Sequence, residues 1–589
     1  MIMKYKNILI GSIIAIAVTS CNSLDIPPMN IIQDTDVFRS EAGVSAYIAR
    51  LYTELPIEDF KFGRDFDQFA NYPSLCNATN EALLVTADFV WDNPSGDWFQ
   101  AWKYGSVRNI NYFIEQLSEY QNNFTEELVN DWLGEAYFIR AYTYFAMVKR
   151  YGGVPIVKQV QNFPEQSLEE LKVPRSSEQE VYDFIAEDLD LAISLLPEES
   201  LAKGRVNKNV AYALKSRVML YAGSIAQFGK MQLDNLLGIP ATDATKYYQA
   251  AYDAACMLEG KYSLYNKYAD KYENYWRLFL DADSPENIFC KYFKYPEQAH
   301  SFDVLHVPYQ MRGAEGYSSR FNPTLDFVQM FDDIDGNSDW LKIGTDSDPI
   351  RYDHRIDLFS KAEPRLRGTV IFPGDEFKEE EIDIQKGIYT SYPNGELFTS
   401  ADFTAMYKDK AIIGRSGMGH NETTTTGFLL RKYQNPDIPQ NELLLWRDTK
   451  HWIDIRYAEI LLNRAEAAFA LNKMDDALYC INQIRERAGA KLYTKDQLTL
   501  KNIQKERRME LAFENQTYWD LRRWRIADSE MNNRQFKALC PYYIYDESKY
   551  IYKVEGVGPQ YTFDVKVNYV KIPTDEISKN EKLIQNPGY

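Results

Sequence analysis

The chain has 589 residues, with 43 Tyr, 31 Phe and 10 Trp, a heavy aromatic load. A formal charge of −19 and an isoelectric point near 5.0 speak against a nucleic-acid binder, which needs a basic face. The six cysteines (Cys21, Cys76, Cys256, Cys290, Cys480 and Cys540) form no Cys-x-x-Cys pair, so neither a disulfide framework nor a zinc site is expected.

Residues 1–20 read as lying outside the fold. Lys4 and Lys6 precede an apolar run from Ile8 to Val18 that is too short for a good membrane span. The run ends Val18-Thr-Ser-Cys21, which resembles the lipobox of a bacterial lipoprotein. That resemblance implies that the signal is cut and that Cys21 becomes the lipidated N-terminus. Several acyl chains anchor stably where one does not, so lasting membrane attachment is expected. Residues 21–39 read as the tether.

Residues 40–290 carry helical patterning. Helices are expected from Ser40, from Trp98 to Leu117, from Glu126 to Arg150, and over 178–196, 207–228 and 244–260. Ser177 is placed to cap one of them, with Glu180 three residues on as its capping-box partner. The helices pair at roughly the period of tetratricopeptide repeats. Between the first two, residues 56–97 are irregular and hold Tyr72, Trp91 and Asn93.

From 291 to 446 the helical stripes vanish and turns multiply; twelve of the 29 glycines lie here. Stretches such as Gly368-Thr-Val-Ile-Phe suggest short strands. This segment reads as a loop-rich, partly β insertion, and loops on a rigid scaffold are where binding usually resides.

Helical patterning returns over 447–589. Ala458, Leu461, Leu462, Ala465 and Phe469 make one apolar stripe, with Glu459, Asn463, Arg464 and Glu466 off it. Asn472 suits a left-handed turn and Asp475 a cap. Ala477, Cys480, Ile481, Ile484 and Ala488 repeat the stripe until Gly489 stops it. A third helix is expected from Leu500 to Trp524, with Arg507 and Glu510 spaced to pair. Short strands and turns are expected over 531–589.

Three motifs in this stretch carry a resemblance. They are Arg456-Tyr-Ala-Glu-Ile-Leu-Leu-Asn-Arg-Ala-Glu-Ala, Asn482-Gln-Ile-Arg-Glu-Arg-Ala-Gly, and Glu506-Arg-Arg-Met-Glu-Leu-Ala-Phe-Glu followed by Trp519-Asp-Leu-Arg-Arg-Trp. Their order and spacing resemble the SusD/RagB family of outer-membrane nutrient-binding lipoproteins. One departure is visible: Asn515-Gln-Thr-Tyr-Trp-Asp-Leu stands where the family usually has Gly-x-Arg-x-x-Asp-Leu, which bears on a local turn. The resemblance implies a mostly α, tetratricopeptide-like array of four helical pairs. It also implies a lid on a SusC-like TonB-dependent transporter, with an oligo- or polysaccharide as cargo. A RagB-like peptide binder shares the fold and stands as the alternative; a surface glycoside hydrolase is the more distant one.

Chemistry-bearing constellations are few. Asp333, Asp335, Asn337 and Asp339 alternate oxygen ligands in a way that suits calcium, but Gly336 and Gly344 are misplaced for an EF-hand, and a capped turn is the plainer reading. No other cofactor is expected. Gly414-Arg-Ser-Gly-Met-Gly nearly resembles a nucleophile elbow, with Met418 in place of the last required glycine. No His-Glu-x-x-His pair or phosphate loop is found, so no catalysis is expected. What remains is rings in irregular surroundings. Tyr72, Trp91, Tyr309, Tyr317 and Trp340 are expected to stack on sugar rings, with Asn93 and Arg312 on the hydroxyls, although each ring taken alone also suits a core. The family's contact residues lie outside the shared motifs, so none of these positions is carried over from it.

Overall fold

The computed structural model describes residues 37–60, 75–85, 99–163 and 165–589. The scaffold helices are α1 (Glu41–Thr53), α2 (Tyr104–Tyr120), α3 (Glu126–Tyr151), α4 (Glu178–Leu195), α5 (Lys208–Phe228) and α6 (Ala244–Cys256). After α7 (Lys271–Leu278) and the insertion come α8 (Tyr457–Ala470) and α9 (Met474–Ala488). They pack as four pairs, α1 with α2, α3 with α4, α5 with α6, and α8 with α9. The array is the expected mostly helical, tetratricopeptide-like one.

Local chemistry sets the helix ends. The Ser40 hydroxyl accepts from the Gly43 amide at 3.1 Å, and Asn207 Oδ1 accepts from the Val210 amide at 3.0 Å. Ser177 and Glu180 form the expected capping box. Gly489 ends α9 at φ 71°, and Asn472 turns the chain between α8 and α9 at φ 61°. The α9 cap differs from expectation: the helix begins at Met474 after Lys473, with no side-chain cap, so Asp475 lies inside the first turn. Its negative charge there still suits the helix dipole.

The apolar stripes meet in one scaffold core. Leu462, Ala465, Cys480, Ile481 and Ile484 are fully buried, each large aliphatic side chain contributing about 1.5–3 kcal/mol. Glu459, Asn463 and Glu466, off the stripe, are buried as well. Helices α5, α6 and α9 all contact α8, so it has no outer face.

The expected helix from Leu500 to Trp524 is broken into α10 (Leu500–Glu510) and α11 (Thr517–Arg523). Phe513 and Asn515 between them are left-handed, at φ 60° and 59°. Asn515 thus fills the turn where the family usually places glycine, and its Nδ2 donates to the Glu58 carbonyl at 2.8 Å. Arg507 and Glu510 do not pair with each other. Arg507 Nε donates to Asp520 at 2.8 Å, and Glu510 faces Arg365, Arg456 and Arg487.

Short strands run through and beside the insertion. Among them, in chain order, are β1 (Ala82–Leu84), β2 (Asn287–Lys291), β3 (Phe321–Pro323), β4 (Glu376–Phe377), β5 (Glu380–Glu381), β6 (Gly387–Tyr389), β7 (Leu397–Thr399) and β8 (Trp452–Arg456). Strand β2 pairs antiparallel with β8, so the chain leaves the scaffold and returns to it through one two-stranded stem. Gly368-Thr-Val-Ile-Phe is a helix end, Pro364–Thr369, running into a two-residue strand. The tail is less fragmented than expected. Its β9 (Arg534–Ile544) and β10 (Lys549–Tyr561) form a long hairpin, and β9 adds parallel to β6 in a sheet ordered β10-β9-β6-β7. Among the described residues no helix is long and apolar enough to cross a membrane.

Candidate functional site

The shared motifs build a buried ion network. Arg456 reaches Glu286 at 2.6 Å, Glu510 at 2.7 Å and Glu514 at 2.7 Å, and is 1% exposed. Arg365 joins Glu363, Glu506 and Glu510 at 2.7–2.9 Å, and Arg485 joins Glu506 at 2.6 Å. Arg523 pairs with Asp520 at 2.8 Å and Glu466 at 2.5 Å. Burial opposes the Glu510 charge, but Arg487, Arg456 and Arg365 outweigh it and hold its carboxyl well below the usual range. These charges are sealed from solvent and hold the scaffold to the base of the insertion.

The exposed chemistry lies on the insertion. Ser319 and Arg320 donate their amides to the Val307 and Leu305 carbonyls at 3.0 Å, closing a loop over 308–318. Met311 is buried and pins a short turn, Tyr309–Met311, which leaves the Tyr309 ring half-buried at the surface. The Arg312 guanidinium lies 3.9 Å from that ring. From the segment after β7, Phe403 stacks on Tyr309 at 4.8 Å and 25°. A turn holds it there: Asp402 Oδ1 accepts from the Thr404 amide at 2.8 Å, and Ser400 Oγ from the Asp402 amide at 2.9 Å. His420 completes the cluster, 5.0 Å from Tyr309 and 4.6 Å from Phe403. Glu422 takes a left-handed φ of 65°, costly for a non-glycine residue, and its carboxylate sits 3.7 Å from Arg312. Three half-buried rings thus stand beside an arginine and a carboxylate. Rings of this kind present flat apolar faces, and the charged pair offers donors and acceptors at their edge.

The sequence-derived site residues divide sharply. Tyr309 and Arg312 are brought together as described. Tyr317 is half-buried against a core that includes Leu305 and Met311, and among the described residues no ring contact joins it to the cluster. Trp340 is a correction: it is 6% exposed, its Nε1 donates to the Phe331 carbonyl at 2.9 Å, and it packs with Leu325, Phe327 and Leu366. It is a core residue. Cys21, Tyr72, Trp91 and Asn93 lie outside the described residues. Phe403, His420 and Glu422 were not expected. The one available signal was an aromatic residue in a Ser-Ala-Asp-Phe-Thr turn away from any alternating stretch.

Asp333 caps a turn, its Oδ1 accepting from the Asp335 and Asn337 amides at 2.9 and 2.7 Å, while Asp335 and Asp339 pair with Lys361 and Lys342. Among the described residues no three His, Cys, Asp or Glu side chains are grouped to hold a metal ion. Ser416, in the near-elbow, is fully buried in a loop, and its Oγ donates to Gln310 Oε1 at 3.2 Å. Cys256, Cys290, Cys480 and Cys540 are free thiols.

Known proteins share both sequence and architecture with this chain. A family model described as the SusD family matches residues 285–589, and one described as starch-binding associating with outer membrane matches residues 24–220. A SusD-like protein of Formosa agariphila is 21% identical over 616 residues, covering 100% of both chains. The crystal structure of a SusD-like protein from Bacteroides fragilis aligns with a TM-score of 0.69 at 25% identity, over 95% of this chain and 99% of that one. A SusD-like carbohydrate binding protein of the same species aligns with a TM-score of 0.65 at 20% identity, over 93% and 100%.

Proposed function

Starting from the chain's membership of the SusD family, we propose that it is a cell-surface lipoprotein that binds oligo- or polysaccharide without cleaving it and delivers it to a SusC-like TonB-dependent transporter. The observation that carries this reading is the cluster of Tyr309, Phe403 and His420, half-buried at the surface beside Arg312 and Glu422. A sugar ring lays its C–H face on an aromatic face, and its hydroxyls take the arginine and carboxylate. Residues 291–446 are then the binding region, carried on a scaffold of 40–290 and 447–589. The similarity to a SusD-like carbohydrate binding protein supports the same reading.

A few rings on an open surface give weak binding, roughly micromolar to millimolar, or about −8 to −4 kcal/mol. Long chains bind better than single sugars, since each further unit adds contact. The test is isothermal titration against neutral plant, fungal and algal polysaccharides, with reducing ends assayed in parallel. Binding without release of reducing ends is expected; release by homogeneous protein, or no binding to any glycan, would refute the reading.

Attachment at the outer membrane, through Cys21 and with the binding face outward, belongs to the same proposal. Its support is the Val18-Thr-Ser-Cys21 motif and the match to the family described as associating with outer membrane. Cys21→Ala is expected to move the protein from the membrane fraction to the soluble one. Continued sedimentation with outer membranes after high-salt washing would count against it.

A further inference from the structure

A cleft of about 810 Å³ opens where the scaffold meets the insertion. Helix α7 forms one wall through Tyr272, Trp276 and Arg277. The β4–β5 hairpin and the loop over 436–439 form the other, through Glu376, Lys378 and Asp437. The volume falls in the range of small-ligand sites, about 300–1,000 Å³.

Arg431 is part of the lining and is 3% exposed. Its guanidinium lies between Trp276 at 4.3 Å and Phe377 at 4.8 Å. Nη1 donates to the Gln434 carbonyl at 3.0 Å, while Nε has no acceptor. The other two arginines of the cleft are paired, Arg277 with Glu273 at 2.7 Å and Arg367 with Asp375 at 3.0 Å. Glu376, Glu379 and Asp437 stand exposed at the mouth.

Six acidic and four basic side chains line the cleft, which disfavours an anionic ligand. A sugar hydroxyl both donates and accepts, so it suits walls where arginines alternate with carboxylates. Segments that flank the cleft are hydrogen-bonded to segments that carry the ring cluster. Gln310, next to Tyr309, donates through Nε2 to the Glu381 carbonyl at 3.0 Å, and Gln440 Nε2 donates to the Arg312 carbonyl at 2.8 Å. Lys378 Nζ donates to the Ile438 carbonyl and ties hairpin to loop.

We propose that this cleft is a second saccharide subsite, which takes neutral sugar units from the same glycan whose other units stack on Tyr309 and Phe403. The proposal rests on the glycan-binding reading above. The cleft confers a preference for long or branched neutral chains over short or uronic-acid ones.

The test uses the full chain and length series of cello-, manno-, xylo- and laminari-oligosaccharides, with oligogalacturonides as the acidic probe. Asp437→Asn and Arg277→Ala are titrated beside Tyr309→Ala; both cleft positions are partly or fully solvent-exposed, and circular dichroism checks folding. The cleft variants are expected to lose about tenfold in affinity for the longest bound oligosaccharide and nothing for the shortest. Tyr309→Ala is expected to weaken every length. If the cleft variants match wild type at all lengths while Tyr309→Ala weakens binding, the second subsite is refuted and the glycan reading stands. Preferred binding of oligogalacturonides that Arg277→Ala abolishes and Asp437→Asn strengthens would overturn the neutral assignment. If no probe binds wild type, the glycan reading fails and takes the subsite with it.

Discussion

Arg456 has three carboxylates around it and 1% of its surface exposed. Removing it leaves Glu286, Glu510 and Glu514 buried short of counter-charge. Arg456→Ala is therefore expected to cost about 3–5 kcal/mol in urea unfolding; a loss under about 1 kcal/mol would contradict the network. His306 is a second single-residue case. It is 4% exposed, stacked on Phe302 at 4.2 Å, with Nδ1–H donating to the Phe302 carbonyl at 2.7 Å. Burial pushes its pKa down to about 3, against about 6.5 in an unfolded chain. Its folded-state pKa is depressed, so the stability it contributes is present above about pH 6.5 and lost as pH falls toward 3. Between pH 7 and pH 5 wild type is expected to lose about 2 kcal/mol relative to His306→Phe, read as a pH-dependent gap between two unfolding curves. A gap constant with pH would mean that His306 charges in the folded protein. The motif arginines and glutamates that make the family recognisable are these buried groups, which is why the fold was legible and the ligand contacts were not. Trp340 shows the limit: its polar neighbours in sequence suggest a surface ring, and only tertiary packing places it in a core cluster with residues distant in sequence such as Leu366 and Phe428.

Among the elements, the apolar stripes of α8 and α9 were readable because a helix repeats its face every few residues within one segment. The break between α10 and α11 was not, since the charge pattern of Glu506–Glu514 continues a helical reading through it. Two left-handed residues decide the break, and one of them, Asn515, is a residue type that tolerates that conformation. Asn515→Ala and Asn515→Gly both remove the hydrogen bond to Glu58, so their comparison isolates the backbone. The alanine variant is expected to be less stable than the glycine variant by about 1 kcal/mol; equal stability would show that the turn does not need this φ. The long β9–β10 hairpin also escaped the sequence reading. Strand β9 has a buried run, Ala538–Ile544, with no alternation, because alternate residues enter different cores: Ala538, Cys540, Tyr542 and Ile544 one that includes Ile371 and Leu429, Leu539 and Tyr543 two others.

For the whole molecule, the helical scaffold carries the insertion, and the insertion supplies the half-buried rings at its surface. The β2–β8 stem holds the two together above the Arg456 network. Sequence alone indicated that Tyr309 and Arg312 lie in a loop region, but their meeting with Phe403 and His420 joins positions roughly a hundred residues apart, which no local pattern encodes. The central claim is that this meeting place binds glycan. The most direct measurement is titration of Tyr309→Ala and Phe403→Ala with a polysaccharide that wild type binds, with circular dichroism alongside. Each variant is expected to lose about 1–3 kcal/mol of binding, as for stacked bases on aromatic platforms, with the helical spectrum unchanged. Wild-type affinity in both folded variants would contradict the account.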